Sequence, residues 1–253
     1  MSRVIAIYNQ KGGVAKTTTC VNLAAYLALA GKRVLLVDFD PQANASSSLG
    51  FKPSLETKGV YHGLFNLADA ESLIRPTTLY NYHFIPSSQH LAGALVELIN
   101  IQGREFQLKK FIEKIKDRYD YILIDLPPSL SLLTINGLVA ADEVVIPAQA
   151  QHLSFEGLAQ MLEIVDLIKA NISSDLKIAG AVITMHHDSP VAEDLIKKFA
   201  ENFKHNIFKT KIPWSMPLAE APSFGRPVVL YNQVSEGAKA YENLAQEIIS
   251  QEN

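Results

Sequence analysis

The run Asn9-Gln10-Lys11-Gly12-Gly13-Val14-Ala15-Lys16-Thr17-Thr18-Thr19 constrains this chain more than any other. It follows the apolar run Val4 to Tyr8 and opens a helix-like stretch, Lys16 to Ala30, stopped by Gly31. A strand, a tight glycine loop and a helix in that order turn successive backbone N–H groups and a helix N-terminus toward one point, which is how proteins hold phosphate. Gly12 and Gly13 let the backbone approach closely, Lys16 neutralises phosphate charge, and the Thr17 hydroxyl is placed to ligate Mg²⁺. An ordinary glycine turn capped by threonines is the alternative, and carboxylates on later strands outweigh it.

The rest of the chain alternates short β-branched runs with longer helix-like ones. Strands are expected at Arg33 to Asp38, Tyr121 to Asp125, Glu143 to Pro147, Ile178 to Thr184 and Ile207 to Ile212, with a weaker one at Tyr82 to Pro86. Helices are expected at Phe155 to Ala170, Pro190 to Phe203 and Glu236 to Ser250. Alternation of this kind predicts an α/β fold, a doubly wound, mostly parallel sheet flanked by helices on both faces. The segment Phe51 to Leu108 is irregular and reads as loops and short helices over one edge of that sheet. No linker or repeat divides the chain, so residues 1–253 are expected to form a single domain.

With 253 residues and 48% hydrophobic composition there is enough apolar material for one sizeable core, which excludes a disordered or fibrous chain. The lone Cys20 excludes a disulfide framework, a thiolate zinc site and an iron–sulfur cluster built within one chain, and suits a reducing, cytoplasmic compartment. Cys20 itself reads as a small packing residue. The start Met-Ser-Arg runs straight into a strand, which does not read as a signal peptide, and no apolar run approaches the roughly 20 residues of a bilayer span. A formal net charge of -3 gives no bulk signal for nucleic acid, so DNA affinity would need a local patch.

Two later strands end in carboxylates. The second, Val37-Asp38-Phe39-Asp40-Pro41-Gln42, places Asp38 and Asp40 at the C-terminal edge of the sheet, where doubly wound folds bind ligands. Tyr121-Ile122-Leu123-Ile124-Asp125, followed by Leu126-Pro127-Pro128, has the form of a Walker B strand, whose carboxylate holds Mg²⁺ through water.

The common phosphate-loop pattern, G-x-x-x-x-G-K-[ST], fails here at Gln10 and Ala15. With a lysine five residues ahead of the loop lysine, Lys11-Gly12-Gly13-Val14-Ala15-Lys16-Thr17-Thr18 instead resembles the deviant Walker A box of the ParA/MinD family of P-loop ATPases. Ala15 departs from that family's usual glycine and would cost about 1 kcal/mol if its φ is positive. Ala141-Asp142-Glu143-Val144-Val145-Ile146-Pro147, Ser154-Phe155-Glu156-Gly157-Leu158 and Glu220-Ala221-Pro222-Ser223-Phe224-Gly225-Arg226-Pro227-Val228 are also similar to the family, the last to its chromosome- and plasmid-segregation members of the Soj kind.

The resemblance implies an ATPase that dimerises around ATP and Mg²⁺. Nucleotide contacts would come from Lys11, Gly12, Gly13, Val14, Ala15, Lys16, Thr17 and Thr18, with adenine near Thr184-Met185 and Ile212-Pro213. Lys11 would reach the partner's nucleotide, Lys16 would stabilise the phosphoryl group, and Asp40 would position the attacking water. Thr17, Asp38 and Asp125 would form the metal shell. The implied partners are a second copy, a ParB-like (Spo0J-like) activator protein and non-specific DNA, with nucleoid association if DNA binds.

The chain departs from Soj-like members where they carry two arginines: His186-His187-Asp188-Ser189-Pro190 and Trp214-Ser215-Met216-Pro217 stand there. Basic residues persist as Lys197, Lys198, Lys204, Lys209 and Lys211, and as Arg104, Lys109, Lys110, Lys114, Lys116 and Arg118. Intervening acids leave each group an excess of only two, so solvated helix faces explain them as well as a DNA patch does. For His186, His187 and Asp188 a capping or base-side loop is preferred to a metal site, and for Trp214 packing or lining the base pocket is preferred to a nucleic-acid platform. A MinD-like membrane role is disfavoured, because residues 236–253 carry only Lys239 against Glu236, Glu242, Glu247 and Glu252. Two further alternatives are a nucleotide-gated scaffold with little hydrolysis, suggested by Ala15, and a carboxylate–amine ligase of the dethiobiotin synthetase kind.

Overall fold

The computed structural model describes residues 2–149, 155–172 and 175–252, without the side chains of residues 155–161. In chain order its elements are β1 (Arg3–Ile7), α1 (Lys16–Leu29), β2 (Val34–Asp38), α2 (Asn44–Ser48), α3 (Val60–Leu64), β3 (Arg75–Pro76), β4 (Tyr82–Ile85), α4 (His90–Glu97), α5 (Gln107–Ile112) and β5 (Tyr121–Asp125). They continue as α6 (Leu132–Ala140), β6 (Glu143–Gln149), α7 (Phe155–Asn171), β7 (Lys177–His186), α8 (Pro190–Asn202), β8 (Ile207–Pro213), α9 (Met216–Glu220), α10 (Val228–Tyr231) and α11 (Glu236–Ser250).

The strands form one sheet in the order β3-β4-β2-β5-β1-β6-β7-β8. Every pairing is parallel except β3 with β4 at one edge. The expected doubly wound fold is thus the one observed. Alternate residues of the central strands feed two separate cores. Ala6, Val37, Ile124 and Ile146 face the layer that contains α3 to α6 and α8. Ile5, Leu36, Leu123 and Val145 face α1, α9 and α11. Burial on both faces is why these strands read as unbroken apolar runs.

The irregular segment Phe51 to Leu108 supplies β3, β4, α3 and α4, and its Val60, Leu64, Leu91 and Leu98 join the first core. The sequence reading omitted α6. Leu132–Ala140 is apolar on every side, so it shows no helical period, and it contains Gly137. That glycine is a packing requirement: a Cβ there would come within 2.2 Å of Leu126 Cδ2. The sheet also departs from regularity at Gly180, where φ is +157° and the register with β6 shifts. A single residue there satisfies a bulge that a side chain would crowd against Asn206.

Asn136, fully buried on α6, ties α6 to α5 within the first layer. Its amide nitrogen donates to Arg104 O (2.8 Å) and Leu132 O (2.9 Å), and its oxygen accepts the Leu108 N–H at 3.1 Å. Leu108 lies in the first turn of α5 and has no acceptor within its own helix. Asn136→Ala therefore leaves a buried N–H unpaired, and a loss of about 1–3 kcal/mol is expected in urea unfolding, with the m-value unchanged. An unchanged midpoint would show that Asn136 does not hold the layer.

Candidate functional site

The parallel strands end at a common edge, and β2, β5 and β1 are neighbours there. The loop after β1 is pinned to the strands on its other side. Asn9 Nδ2 donates to Pro147 O (2.8 Å), the Asn9 side chain accepts the Lys11 N–H (2.9 Å), and Thr184 Oγ1 donates to Val14 O (3.1 Å). Gly13 and Ala15 both lie in the left-handed region, at φ 75° and 64°. Ala15 thus carries the strain of about 1 kcal/mol that a glycine would not.

Ala15 is also the N-cap of α1, which has no side-chain cap and no acid in its first turn. The positive end of the helix therefore faces the loop with no acid of its own first turn against it, which leaves its free N–H groups to an anion. Lys16 is buried and its Nζ donates to Lys11 O at 2.8 Å. Burial lowers its pKa, while Asp125 and Asp40 pull the other way. The Lys11 side chain, by contrast, is exposed.

Asp38 and Asp125 are direct neighbours in the β2–β5 register, and both are fully buried. Asp38 Oδ2 accepts the Ser46 N–H (2.7 Å) and hydroxyl (2.6 Å), and Oδ1 accepts the Asp40 N–H at 3.3 Å. Burial outweighs these bonds and pushes Asp38 up to about 7, with Asp40 adding repulsion. Asp125 is raised well above the usual carboxylate range, by burial and then by Asp38. Its Oδ2 accepts the Thr17 hydroxyl at 2.8 Å, while Oδ1 has no partner. Asp40 is buried as well, and its Oδ1 accepts the Gln42 N–H at 2.9 Å.

Three carboxylates, the hydroxyls of Thr17 and Ser46 and a single ammonium make a buried site with excess negative charge and an orphaned oxygen on Asp125. That donor set fits a hard divalent cation such as Mg²⁺. Sequence reasoning missed Ser46, whose hydroxyl also accepts the Ser87 N–H (3.1 Å) and so joins Asp38 to the end of β4. The signal was there to find: a carboxylate buried at a strand end needs a donor, and Ser46-Ser47-Ser48 follows it.

Beside the loop, a cavity of about 90 Å³ is lined by Ala15, Thr18, Met185, Pro213, Trp214 and Tyr241, among others. The residues expected at the phosphate end and at the base end of a nucleotide are therefore brought together. The two histidines separate. His186 is buried, with Nε2 3.0 Å from Asp188 and 3.4 Å from Glu193, whereas His187 stacks on Trp214. The cap of α8 is Ser189, not a histidine. In Glu220–Val228, Gly225 packs directly on Gly50, and the Val228 N–H donates to Asn22 of α1 at 2.7 Å. Ser154 and the side chains of Phe155 to Leu158 lie outside the described residues. Cys20 is buried, as expected. Among the described residues no helix is long and apolar enough to cross a membrane.

A family model described as an AAA domain matches residues 2–178. The chain is 47% identical over 249 residues to the sporulation initiation inhibitor protein Soj of Bacillus subtilis, spanning 98% of both chains. It is 45% identical over 253 residues to the chromosome-partitioning ATPase Soj of Treponema pallidum, spanning 100% of this chain and 99% of that one. The chain belongs to the Soj/ParA family of partitioning ATPases. Among solved structures, cobyrinic acid a,c-diamide synthase from Mycobacterium smegmatis with bound ATP analog and magnesium has a TM-score of 0.88 at 32% identity, covering 99% of this chain and 96% of that one.

Two outcomes follow for this Soj/ParA relative. Ala15→Gly relieves the left-handed strain and is expected to raise Tm by about 2–4 °C, read by calorimetry; a lower Tm would contradict the strain. For Asp125, a folded-state pKa above the unfolded value means that stability falls as pH rises from about 4 toward the folded value. Asp125→Asn is therefore expected to raise Tm in Mg²⁺-free buffer at pH 7.5, with the gain shrinking toward pH 5. The same variant is expected to lose the stabilisation that Mg-ATP is expected to give the wild type.

Proposed function

We propose that this chain, as one ATPase domain over residues 1–253, dimerises on binding ATP and resets by slow hydrolysis, positioning chromosomal, plasmid or other cargo. The observation that carries this is the division of labour between two lysines of one loop. Lys16 is buried inside the site, and Lys11 is exposed on its rim, where a second copy can be met. Support for ATP and Mg²⁺ comes from the neighbour solved with an ATP analog and magnesium.

Thr17, Asp125 and Asp38 would hold Mg²⁺, which would supply charge neutralisation at the phosphoryl oxygens. The chain's own residues do the rest. The N-terminus of α1 and the backbone around Gly12 to Ala15 receive the phosphates. Lys16 transfers its hydrogen bond from Lys11 O to phosphate, Lys11 of the second copy completes the charge, and Asp40 orients the attacking water. Catalysis here is positional and electrostatic.

The partners in this reading are a second copy, a ParB-like activator and non-specific DNA, and the place is the cytoplasm at the nucleoid. The DNA interaction is proposed to be shallow in salt dependence, because many cations are already paired. Lys198 binds Asp194 and Lys211 binds Glu193, while Arg104, Lys116 and Arg118 pair with Glu105, Glu113 and Glu71. Each phosphate contact contributes roughly one unit of log-log salt slope. A second reading, amide-bond formation at a carboxylate, is favoured by the diamide synthase likeness, but at 32% identity against 47% and 45% for the Soj proteins.

Asp40→Ala is expected to keep ATP binding and the ATP-dependent dimer while phosphate release stops. Lys11→Ala is expected to lose the dimer peak in size exclusion. Turnover by Asp40→Ala, or a dimer of Lys11→Ala, would overturn the roles assigned here, and phosphate release that requires a small carboxylic acid would favour the ligase reading. ATP-dependent filter binding across a salt series tests the DNA role, which an immeasurable affinity at all salt concentrations would remove.

A further inference from the structure

The chain has one tryptophan, and it is placed unusually: Trp214 is 52% exposed at the mouth of the cavity that opens beside the phosphate loop. An indole ring left half in water at a pocket rim forgoes burial that a core position would give it. It is nevertheless held. The Trp214 backbone N–H donates to His186 O at 3.1 Å, fixing the chain there, and the His187 ring stacks on the indole with centroids 6.1 Å apart and planes 23° from parallel.

The cavity is polar at one end and apolar at the other. Ala15 and Thr18 belong to the loop and first turn of α1, whereas Ile212, Pro213 and Leu218 form the far wall, and no charged side chain lines it. The Tyr241 hydroxyl is already bonded to Thr19 at 3.1 Å, so the tyrosine offers the cavity its ring rather than a free polar group. Ala15 and Met185, which both line the cavity, are held in left-handed backbone at φ 64° and 50°. Such strain persists where the surroundings over-determine it, typically at ligand clamps.

On the nucleotide reading above, we infer that Trp214, braced from behind by His187, is the stacking residue that closes over the nucleobase and supplies its affinity. Recognition of the base is then by ring stacking and apolar contact at this wall. Base–aromatic stacking contributes about 1–3 kcal/mol by alanine substitution, or roughly 5- to 150-fold in affinity.

Because Trp214 is the only tryptophan, its emission reports this site alone. Mg-ATP is expected to change the emission of the wild-type chain, and Mg-tripolyphosphate, which lacks a base, to leave it unchanged. Trp214→Ala is expected to weaken ATP roughly 5- to 150-fold in equilibrium dialysis while tripolyphosphate binding stays within twofold, and Trp214→Phe to restore most of the loss. ATP bound with unchanged emission, or Trp214→Ala binding ATP as tightly as the wild type, would overturn the inference and leave the nucleotide site standing. Failure of the wild-type chain to bind either ATP or tripolyphosphate would instead overturn the nucleotide reading and this inference with it. The wild-type emission arm needs no variant, so a misfolded Trp214→Ala would not shield the claim.

Discussion

The β2–β5 register places Asp38 and Asp125 side by side and out of water, and the rest of the site answers to that pair. Two adjacent buried carboxylates cannot both ionise cheaply, since burial and mutual repulsion act in the same direction. The fold meets part of the cost with short, directed donors: Ser46 from α2 to Asp38, and Thr17 from α1 to Asp125. Lys16 adds the nearest positive charge. These responses link β1, β2 and β5 through their C-terminal loops, so the phosphate loop, the two aspartates and α2 form one hydrogen-bonded unit. One oxygen of Asp125 stays unanswered. That residual demand is chemical information, because it specifies a cation by charge and hardness more sharply than any cavity shape does.

Much of this was legible in the sequence, for identifiable reasons. The loop, the two aspartate-bearing strands and the long helices were readable because strands buried on both faces are continuous apolar runs and because glycine, lysine and threonine at fixed spacing have few other uses. What escaped lacked a period or depended on distant chain. The helix Leu132–Ala140 is apolar all round, and only packing against Leu126 explains its Gly137. The link from Asp38 through Ser46 to Ser87 spans three segments of chain, and local pattern cannot show it. The sign of φ at Ala15 was a conditional in the sequence and became a fact only with the backbone. The two adjacent histidines looked like a pair, yet the backbone turns them to different partners, Asp188 and Trp214.

The surface charges show a similar gap between counting and geometry. Residues 236–253 count as an acidic tail, yet two of those acids are structural ties. Glu247 accepts the N–H groups of Lys209 and Thr210 at the edge strand β8, and Glu252 pairs with Lys32. Arg3, at the other end of the chain, donates to Ile248 O and pairs with Glu143. Net charge therefore says little about what this surface offers a polyanion; the informative quantity is which lysines keep no acid beside them. Of the basic residues in the two groups, Lys109, Lys110, Lys114, Lys197, Lys204 and Lys209 have no ion pair among the described residues, a smaller set than the sequence suggests.

Local costs are concentrated at the site and relieved by the same class of ligand. A left-handed alanine at the start of α1, a left-handed methionine in the lining of the same cavity, an uncapped helix N-terminus and a buried carboxylate with an orphaned oxygen all weaken the fold where they stand. None is repaired by a neighbouring side chain, although the two cores on either side of the sheet pack closely enough to tolerate them. An anion at α1 and a cation at Asp125 offset the last two directly, because each supplies the charge that its group lacks. Part of the binding free energy is then the removal of a folding penalty, so ligand affinity and site stability must change together whenever one of these groups is altered. An occupied site is consequently more stable than an empty one.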